Sequence, residues 1–260
     1  MMKNRMFVLF VPVFILIVSL NSFFVAAETD TVSPDDILWN VDLNNQFKTC
    51  YVEANMEINV NSRKIVRSLR SWILGNEKTL IEFTSKRDLG SRILKIKNDI
   101  WLYSFTAESE IKIAGGALKE GIGGSDLSYE DVLTLWELGK VYTAKVIGAE
   151  KYNNRMCHVL ELTAKPDVDV TYYKRKVWVD KERFVELYTE FYAPSGTLLK
   201  TIKVEKVELV GDHWFSSTVA VKDMLKLNSF TRFMVVKVSF NDDIPQEMFT
   251  RQKLTAKEIR

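Results

Sequence analysis

The feature that most constrains the fold is an alternation of apolar and polar residues that recurs along most of the chain. Its clearest run lies between residues 51 and 60, and the apolar positions there are Val52, Ala54, Met56, Ile58 and Val60. The intervening side chains are acidic or carry amides. Successive side chains of a β-strand point to opposite faces of a sheet, so this period of two predicts a strand with one buried face.

Comparable runs follow, separated by short stretches of Gly, Asn and Asp that predict hairpin turns. Strands joined by such short turns form antiparallel sheets, because a parallel pair needs a long crossover. We predict a mainly β (α+β) domain, an incomplete, curved antiparallel β-barrel of about eleven or twelve strands covered by a few helices. The predicted strands after the first are 65–74, 79–84, 92–97, 100–105, 142–151, 155–164, 172–179, 184–192, 197–210, 214–222 and 231–240.

Two segments carry helix signals. Ser33 can cap a helix that begins at Pro34, and an apolar stripe at helical spacing continues to about Lys48. A second, short helix is expected near Ser128, with Asp131 three residues later as in a capping box. The glycine-rich segment 115–124 is expected to be a hinge or lid, and residues 241–260 a polar, loosely ordered tail.

The first residues predict a secretory signal peptide. Lys3 and Arg5 precede an apolar run from Phe7 to Leu20, and Val25-Ala26-Ala27 supplies small residues at the cleavage site. The alternative is an uncleaved anchor, but the apolar run is shorter than the roughly 20 residues of a membrane-spanning helix. We therefore expect residues 1–27 to be removed, leaving 28–260 as one domain exported to the periplasm.

The charge balance argues against a nucleic-acid partner. Residues 1–27 contain two basic and no acidic side chains, so the remainder has as many Lys and Arg as Asp and Glu, 34 of each. Proteins that bind nucleic acid gain most of their affinity from a basic surface that neutralises phosphates. The expected protein is a monomer of near-zero net charge that binds no nucleic acid.

The two cysteines, Cys50 and Cys157, would reach an oxidising compartment. They could form one disulfide if their Cα atoms lie within about 7 Å, or remain two buried free thiols. The sequence leaves both alternatives open, because it does not say whether the two strands are neighbours.

Motifs for catalysis or for cofactor binding are missing. The chain has no nucleophile elbow, no zinc-binding His-Glu-x-x-His, no P-loop and no dinucleotide fingerprint. Its two histidines, His158 and His213, are not spaced with other metal ligands. Asp126, Glu130 and Asp131 are explained by polarity at a helix start. We expect no enzyme, no cofactor and no metal site.

A large apolar sheet face under movable helices makes either a packed core or a ligand cavity. Aromatic rings and flexible thioethers suit a variable apolar guest. If a cavity is present, the residues we expect to line it are Val52, Met56, Ile58, Trp101, Tyr103 and Phe105. The alternative for each of them is ordinary core packing.

Three segments resemble a known family: residues 86–95 (KRDLGSRILK), 100–103 (IWLY) and 124–131 (GSDLSYED). They are similar to motifs of the outer-membrane lipoprotein-sorting (LolA-like) family, in the branch associated with RND/MMPL-type exporters. The order of helix, strand meander, lid and second meander agrees with that family. One departure is Ser104-Phe105, where the family usually has Pro.

The resemblance implies a half-barrel related to LolA, LolB and RseB, with an apolar cavity that holds acyl chains. The expected function is that of a periplasmic carrier or chaperone for acyl chains of lipids or lipoproteins, working in outer-membrane sorting or with an RND/MMPL-type exporter at the inner membrane. The alternative is an RseB-like sensor of envelope stress, or a transporter adaptor, that acts through a membrane partner.

Overall fold

A computed structural model describes residues 32–133, 138–168 and 170–259. The predicted signal peptide lies outside these residues, as does the second half of the helix expected after Ser128. None of the helices within the described part combines the length and hydrophobicity needed to span a bilayer.

The strands form one antiparallel sheet of thirteen strands that does not close on itself, with the order β6-β5-β4-β3-β2-β1-β13-β12-β11-β10-β9-β8-β7. The N-terminal and C-terminal meanders therefore meet where β1 pairs with β13. This confirms the predicted half-barrel. The strands are β1 (Thr49–Val60), β2 (Arg63–Leu74), β3 (Lys78–Phe83), β4 (Arg92–Ile96), β5 (Asp99–Ser104), β6 (Ser109–Ile113), β7 (Tyr142–Tyr152), β8 (Arg155–Ala164), β9 (Lys174–Asp180), β10 (Glu186–Tyr192), β11 (Leu198–Val210), β12 (His213–Asp223) and β13 (Ser229–Phe240).

The sheet has thirteen strands, more than the eleven or twelve predicted, because the sequence does not predict β6. This strand has only five residues and lies at one edge of the sheet, where it pairs with β5 alone. Its side chains are mostly exposed, and only Ile113 is buried. A short edge strand with charged side chains has a weak apolar pattern, which also protects the edge from pairing with another chain.

Helix α1 (Pro34–Asn44) begins where the sequence predicts, because the Ser33 side chain accepts a hydrogen bond from the backbone N–H of Asp36. It ends four residues before the predicted end at Lys48. Its buried residues Ile37, Leu38 and Val41 pack on the inner faces of β8 and β9. The helix therefore covers the C-terminal half of the sheet.

A lid (residues 115–133) covers the inner face of the N-terminal half. It contains two 3₁₀ turns, Gly115–Lys119 and Ile122–Gly124, and helix α2 (Tyr129–Leu133); helix α3 (Leu138–Val141) follows it. Gly121 is needed at the turn, because a Cβ there would lie 2.0 Å from the carbonyl oxygen of Ser125. The lid packs against a cluster of buried apolar side chains on β1 and β3–β6 through Ile122, Tyr129 and Val132.

The C-terminal segment corrects the prediction of a loose tail. It contains a 3₁₀ turn (Gln246–Phe249) and helix α4 (Arg251–Leu254), and it packs on the outer face of β3–β5. Met248, Phe249 and Leu254 are buried there against Leu80 and Leu94. The sequence does not predict this packing, because the few apolar residues of this polar segment have neither helical nor strand spacing.

Replacing Leu254 by Ala tests this packing. Leu254 is fully buried, so Leu254→Ala should lower the free energy of unfolding by about 2–5 kcal/mol, measured by urea denaturation. Leu225→Ala is the matched control, because Leu225 is 70% exposed and its loss should change stability by less than about 0.5 kcal/mol. Equal effects of the two substitutions would contradict the packing of the C-terminal segment.

Candidate ligand-binding cavity

An apolar cavity of about 380 Å³ lies between α1 and the inner faces of β10–β13. This volume falls in the range of roughly 300–1,000 Å³ that is typical of small-ligand sites. The strands supply the floor, and the end of α1, the lid and the turn before β10 supply the walls. The lining residues are Val41, Asn44, Asn45, Leu127, Phe184, Val185, Glu186, Thr189, Ile202, Val204, Trp214, Phe215, Ser216, Val219, Val221 and Phe233.

The polar groups of the cavity wall come from α1 and its end, from β10 and from β12: Asn44, Asn45, Glu186, Thr189 and Ser216. The Asn44 side-chain amide donates to the carbonyl oxygens of Arg183 (2.7 Å) and Phe184 (3.1 Å), which fixes the helix end on the turn before β10. The hydroxyl of Thr189 donates to the Glu186 carboxylate at 3.3 Å. A mainly apolar wall with a few polar groups suits a ligand that has a long apolar part and a small polar group.

Glu186 is the acidic residue of the cavity wall. Its removal from water raises the pKa of its carboxyl above the ordinary value; Arg175 and the Thr189 hydroxyl oppose the shift, and Asp42 adds to it. The neutral form of Glu186 is therefore favoured more than in water. A neutral carboxyl can donate a hydrogen bond to a carbonyl of a ligand.

A second cleft, of about 670 Å³, shares Asn45 with the cavity and lies on the other side of this residue. Its wall includes Trp39, whose side chain is 60% exposed, together with Phe47 and Lys48. The cleft and the cavity therefore adjoin at Asn45, at the end of α1.

The residues expected from the sequence do not converge on this cavity. Met56 and Ile58 are fully buried in the cluster beneath the lid, and Val52 lies half-buried further along the same strand. Met56 pairs across strands with Phe233, a cavity residue, so the cluster beneath the lid and the cavity adjoin.

The three remaining residues lie elsewhere. Trp101 and Tyr103 are on the outer face of β5, against the C-terminal segment. Phe105 follows β5, is 45% exposed and packs against Gly90. Alternation places these three residues on one face of the strand, but it does not say that this face is the outer one.

Cys50 and Cys157 are buried free thiols, which is the second of the two alternatives left open by the sequence. They lie on β1 and β8, and five other strands separate these two in the sheet. Burial, with a further effect of Asp242, raises the pKa of Cys50 to about 12, and burial also raises the pKa of Cys157. Both thiols are therefore poor nucleophiles in the folded protein.

The lid is held to the sheet by a first buried carboxylate, Asp126, which is 1% exposed. Its carboxylate accepts hydrogen bonds from the hydroxyls of Ser229 (2.9 Å) and Thr231 (2.8 Å) at the start of β13. It also accepts one from the backbone N–H of Asp223 at the end of β12 (3.3 Å). Asp126 thus ties the lid to the turn between β12 and β13.

A second buried carboxylate, Asp131, ties α2 to β11. It pairs with the ammonium group of Lys200 and accepts a hydrogen bond from the hydroxyl of Tyr172 at 2.6 Å. It also accepts one from the Ser128 backbone N–H at 2.7 Å, as the predicted capping box requires. Burial and the charge of Asp131 raise the pKa of Tyr172, so Tyr172 remains a neutral donor.

The motif GSDLSYED therefore acts through its two aspartates as a latch, defined here as Asp126 and Asp131 with their partners on β11–β13 and Tyr172. The sequence indicated only the helix start, because Lys200 and Thr231 are distant in the chain. Neither histidine belongs to the latch: His158 is buried on β8, and the ring of His213 packs on Phe240. The described residues contain no cluster of three or more His, Cys, Asp or Glu that could hold a metal ion.

Comparison with solved structures identifies the fold. The chain is similar to a DUF1329 family protein from Desulfovibrio piger (23% identity, 84% of this chain and 96% of that one, TM-score 0.79). It is similar to an outer membrane lipoprotein-sorting protein domain from Vibrio parahaemolyticus (23%, 85% and 97%, 0.75) and to a LolA superfamily protein from Nitrosomonas europaea (22%, 85% and 99%, 0.71). The fold is therefore that of a LolA-like half-barrel.

A sequence comparison then assigns the family. A family model with the description "Uncharacterized protein" matches residues 75–256, and the chain belongs to this family. The match spans the lid, the latch and the C-terminal segment. No curated protein is significantly similar to the chain in sequence.

The latch can be tested with a double-mutant cycle. Asp131→Asn keeps acceptors for Tyr172 and Ser128 but leaves the buried Lys200 ammonium without a counter-charge, and it should lower the free energy of unfolding by about 3–5 kcal/mol. Lys200→Met should cost a similar amount, and the double variant Asp131→Asn with Lys200→Met should recover most of the loss, measured by urea denaturation. Additive losses would show that the two groups do not depend on each other.

Glu186 gives a pH-dependent prediction. Because its pKa is raised in the folded protein, ionisation destabilises the fold as the pH rises above the unfolded value of about 4.5. Glu186→Gln cannot ionise, so it should raise the free energy of unfolding at pH 8. This gain should vanish near pH 4.

Thermal unfolding at both pH values would measure this gain. Glu77→Gln, on an exposed turn, is the control and should change the melting temperature little at either pH. A Glu186→Gln variant that is less stable than the wild type at pH 8 would contradict the account.

Proposed function

We propose that this protein is an envelope carrier that binds acyl chains of lipids or lipoproteins in the cavity beneath α1. The observation that carries the proposal is the apolar floor formed by β10–β13, which leaves about 380 Å³ unfilled. A concave, mainly apolar surface of this size suits the burial of a ligand's apolar part. The LolA-like fold supports the same proposal.

Burial of an acyl chain provides the binding free energy in this proposal. Each CH₂ group that leaves water contributes about 0.8 kcal/mol, so even part of one chain offers several kcal/mol. The contacts come from Ile202, Val204, Val219, Val221 and Phe233 on the floor. Glu186 and Thr189 of the cavity wall then offer polar groups to an ester or an amide of the ligand.

The latch explains how a long chain enters. When Asp126 and Asp131 release the sheet, Met56 and Ile58 join the cavity floor through their neighbour Phe233. The ligand site would then extend across β13 and β1. The latch groups all regain hydrogen bonds when the lid closes, so the closed state remains well defined.

The proposal includes the setting of this carrier. The signal features of residues 1–27 support export to the periplasm with cleavage after Ala27. An RND/MMPL-type exporter of the inner membrane is the proposed source or recipient of the ligand, and the support for it is the resemblance of the GSDLSYED and IWLY segments. The carrier role involves no cofactor and no bond chemistry.

Filling the cavity tests the proposal. Ile202 and Val219 are half-buried on the floor, so Ile202→Trp or Val219→Trp places an indole in the space proposed for the acyl chain. Each variant should weaken binding of a fluorescent fatty-acyl probe by at least about tenfold, the equivalent of a few CH₂ contacts. The measurement is a fluorescence titration of delipidated protein.

Val236→Trp is the matched control, because Val236 is 67% exposed on β13 and its replacement should leave probe binding unchanged. Circular dichroism and thermal unfolding identify any variant that fails to fold. A folded Ile202→Trp protein that binds the probe like the wild type would contradict the cavity as the acyl site. A wild-type protein that binds no probe would favour the sensor or adaptor role instead.

A further inference from the structure

The turn between β12 and β13, residues 224–228, exposes apolar side chains to an unusual degree. Leu227 is 86% exposed and Leu225 is 70% exposed, the two highest values among the large apolar side chains of the described residues. Met224 and Phe230 beside them are each 38% exposed. Isolated exposed leucines are normal, but a group of apolar residues at the tip of a hairpin indicates a contact surface.

Cationic side chains lie directly behind this tip on the outer face of the sheet. Lys203 and Lys222 line a surface depression of about 630 Å³, together with Phe230 and Arg232. Arg232 is paired with Glu205, whereas Lys203 and Lys222 are exposed and form no ion pair with any described residue. The surface next to the apolar tip therefore carries uncompensated positive charge.

The tip is also bonded to the lid. The ammonium group of Lys226 donates to the carbonyl oxygen of Ser125 at 2.8 Å. The backbone N–H of Asp223, which precedes the turn, donates to the carboxylate of Asp126 at 3.3 Å. A displacement of the turn would therefore act on the first carboxylate of the latch.

We propose that residues 224–228 dock the protein on an anionic phospholipid bilayer. Leu225 and Leu227 insert at the level of the headgroups and upper acyl chains, and Lys203 and Lys222 face the lipid phosphates. A protein partner fits this surface less well, because a stable protein interface buries about 1,200 Å² or more and a narrow hairpin tip offers far less.

This surface does not depend on what the cavity binds. Docking concerns the exposed turn and its lysines, whereas the proposed acyl site lies on the inner face under α1. The two proposals can therefore fail separately. If both hold, docking brings the latch to the membrane from which a ligand would enter or into which it would leave.

Flotation of delipidated full-length mature protein with vesicles tests the docking surface. The protein should bind vesicles of phosphatidylcholine with 30% phosphatidylglycerol, and binding should fall as NaCl is raised because the charge contribution is screened. The pair Leu225→Ser with Leu227→Ser should lower the vesicle partition coefficient by at least about tenfold. Lys203→Gln with Lys222→Gln should lower it about threefold to tenfold, and only for the anionic vesicles.

Leu209→Ser is the matched control. Leu209 is 56% exposed near the opposite end of β11, and its replacement should leave vesicle binding unchanged. Thermal unfolding of each variant confirms that it is folded, as expected for exposed positions.

Failure of the wild-type protein to bind anionic vesicles would overturn the proposal, as would equal binding by the Leu225→Ser and Leu227→Ser pair. Sedimentation velocity of the protein alone supplies the remaining outcome. A dimer that the two leucine substitutions dissociate would show that a second copy of the chain covers the tip, and would also overturn it.

Discussion

The structure depends on how one continuous apolar sheet face is kept from water. The sheet is open, so its inner face must be covered by helices and loops, and the two halves are covered differently. The lid fills the N-terminal half with Ile122, Tyr129 and Val132 and leaves it closely packed. Helix α1 covers the other half but leaves a cavity over β10–β13. The part of the sheet under the lid is therefore structural core, and the part under α1 contains the candidate ligand site.

The lid is attached to the sheet by buried polar groups, and these groups fix its position. A buried ion pair such as Asp131 with Lys200 contributes little net stability, because the Coulomb attraction is offset by the cost of removing both charges from water. It does fix one geometry, since a displaced carboxylate would leave a buried ammonium unpaired. The bonds of Asp126 to the end of β12 and the start of β13 connect the lid to the exposed turn 224–228.

Alternation in the sequence was sufficient to predict the antiparallel sheet and nearly all strands, because a period of two is a local property. The cap at Ser33 and the capping box at Ser128 and Asp131 were predicted for the same reason. The cavity was not predictable, since Asn44 at the end of α1 reaches the cavity wall only through hydrogen bonds to Arg183 and Phe184, which are distant in the chain. Trp101 and Tyr103 illustrate the same limit. Alternation places them on the opposite face of β5 from Ile100 and Leu102, but only their packing against the C-terminal segment shows that this face is the outer one. Lys200 was likewise invisible as the partner of Asp131.

In the proposed function, the cavity beneath α1 holds an acyl chain. Native mass spectrometry with lipid extraction, applied to mature protein purified from its own envelope without detergent, detects such a ligand. We expect a bound acyl species in near-stoichiometric amount, which is lost in a folded Ile202→Trp variant. A wild-type protein that is isolated empty and takes up no acyl lipid when it is offered would contradict the claim.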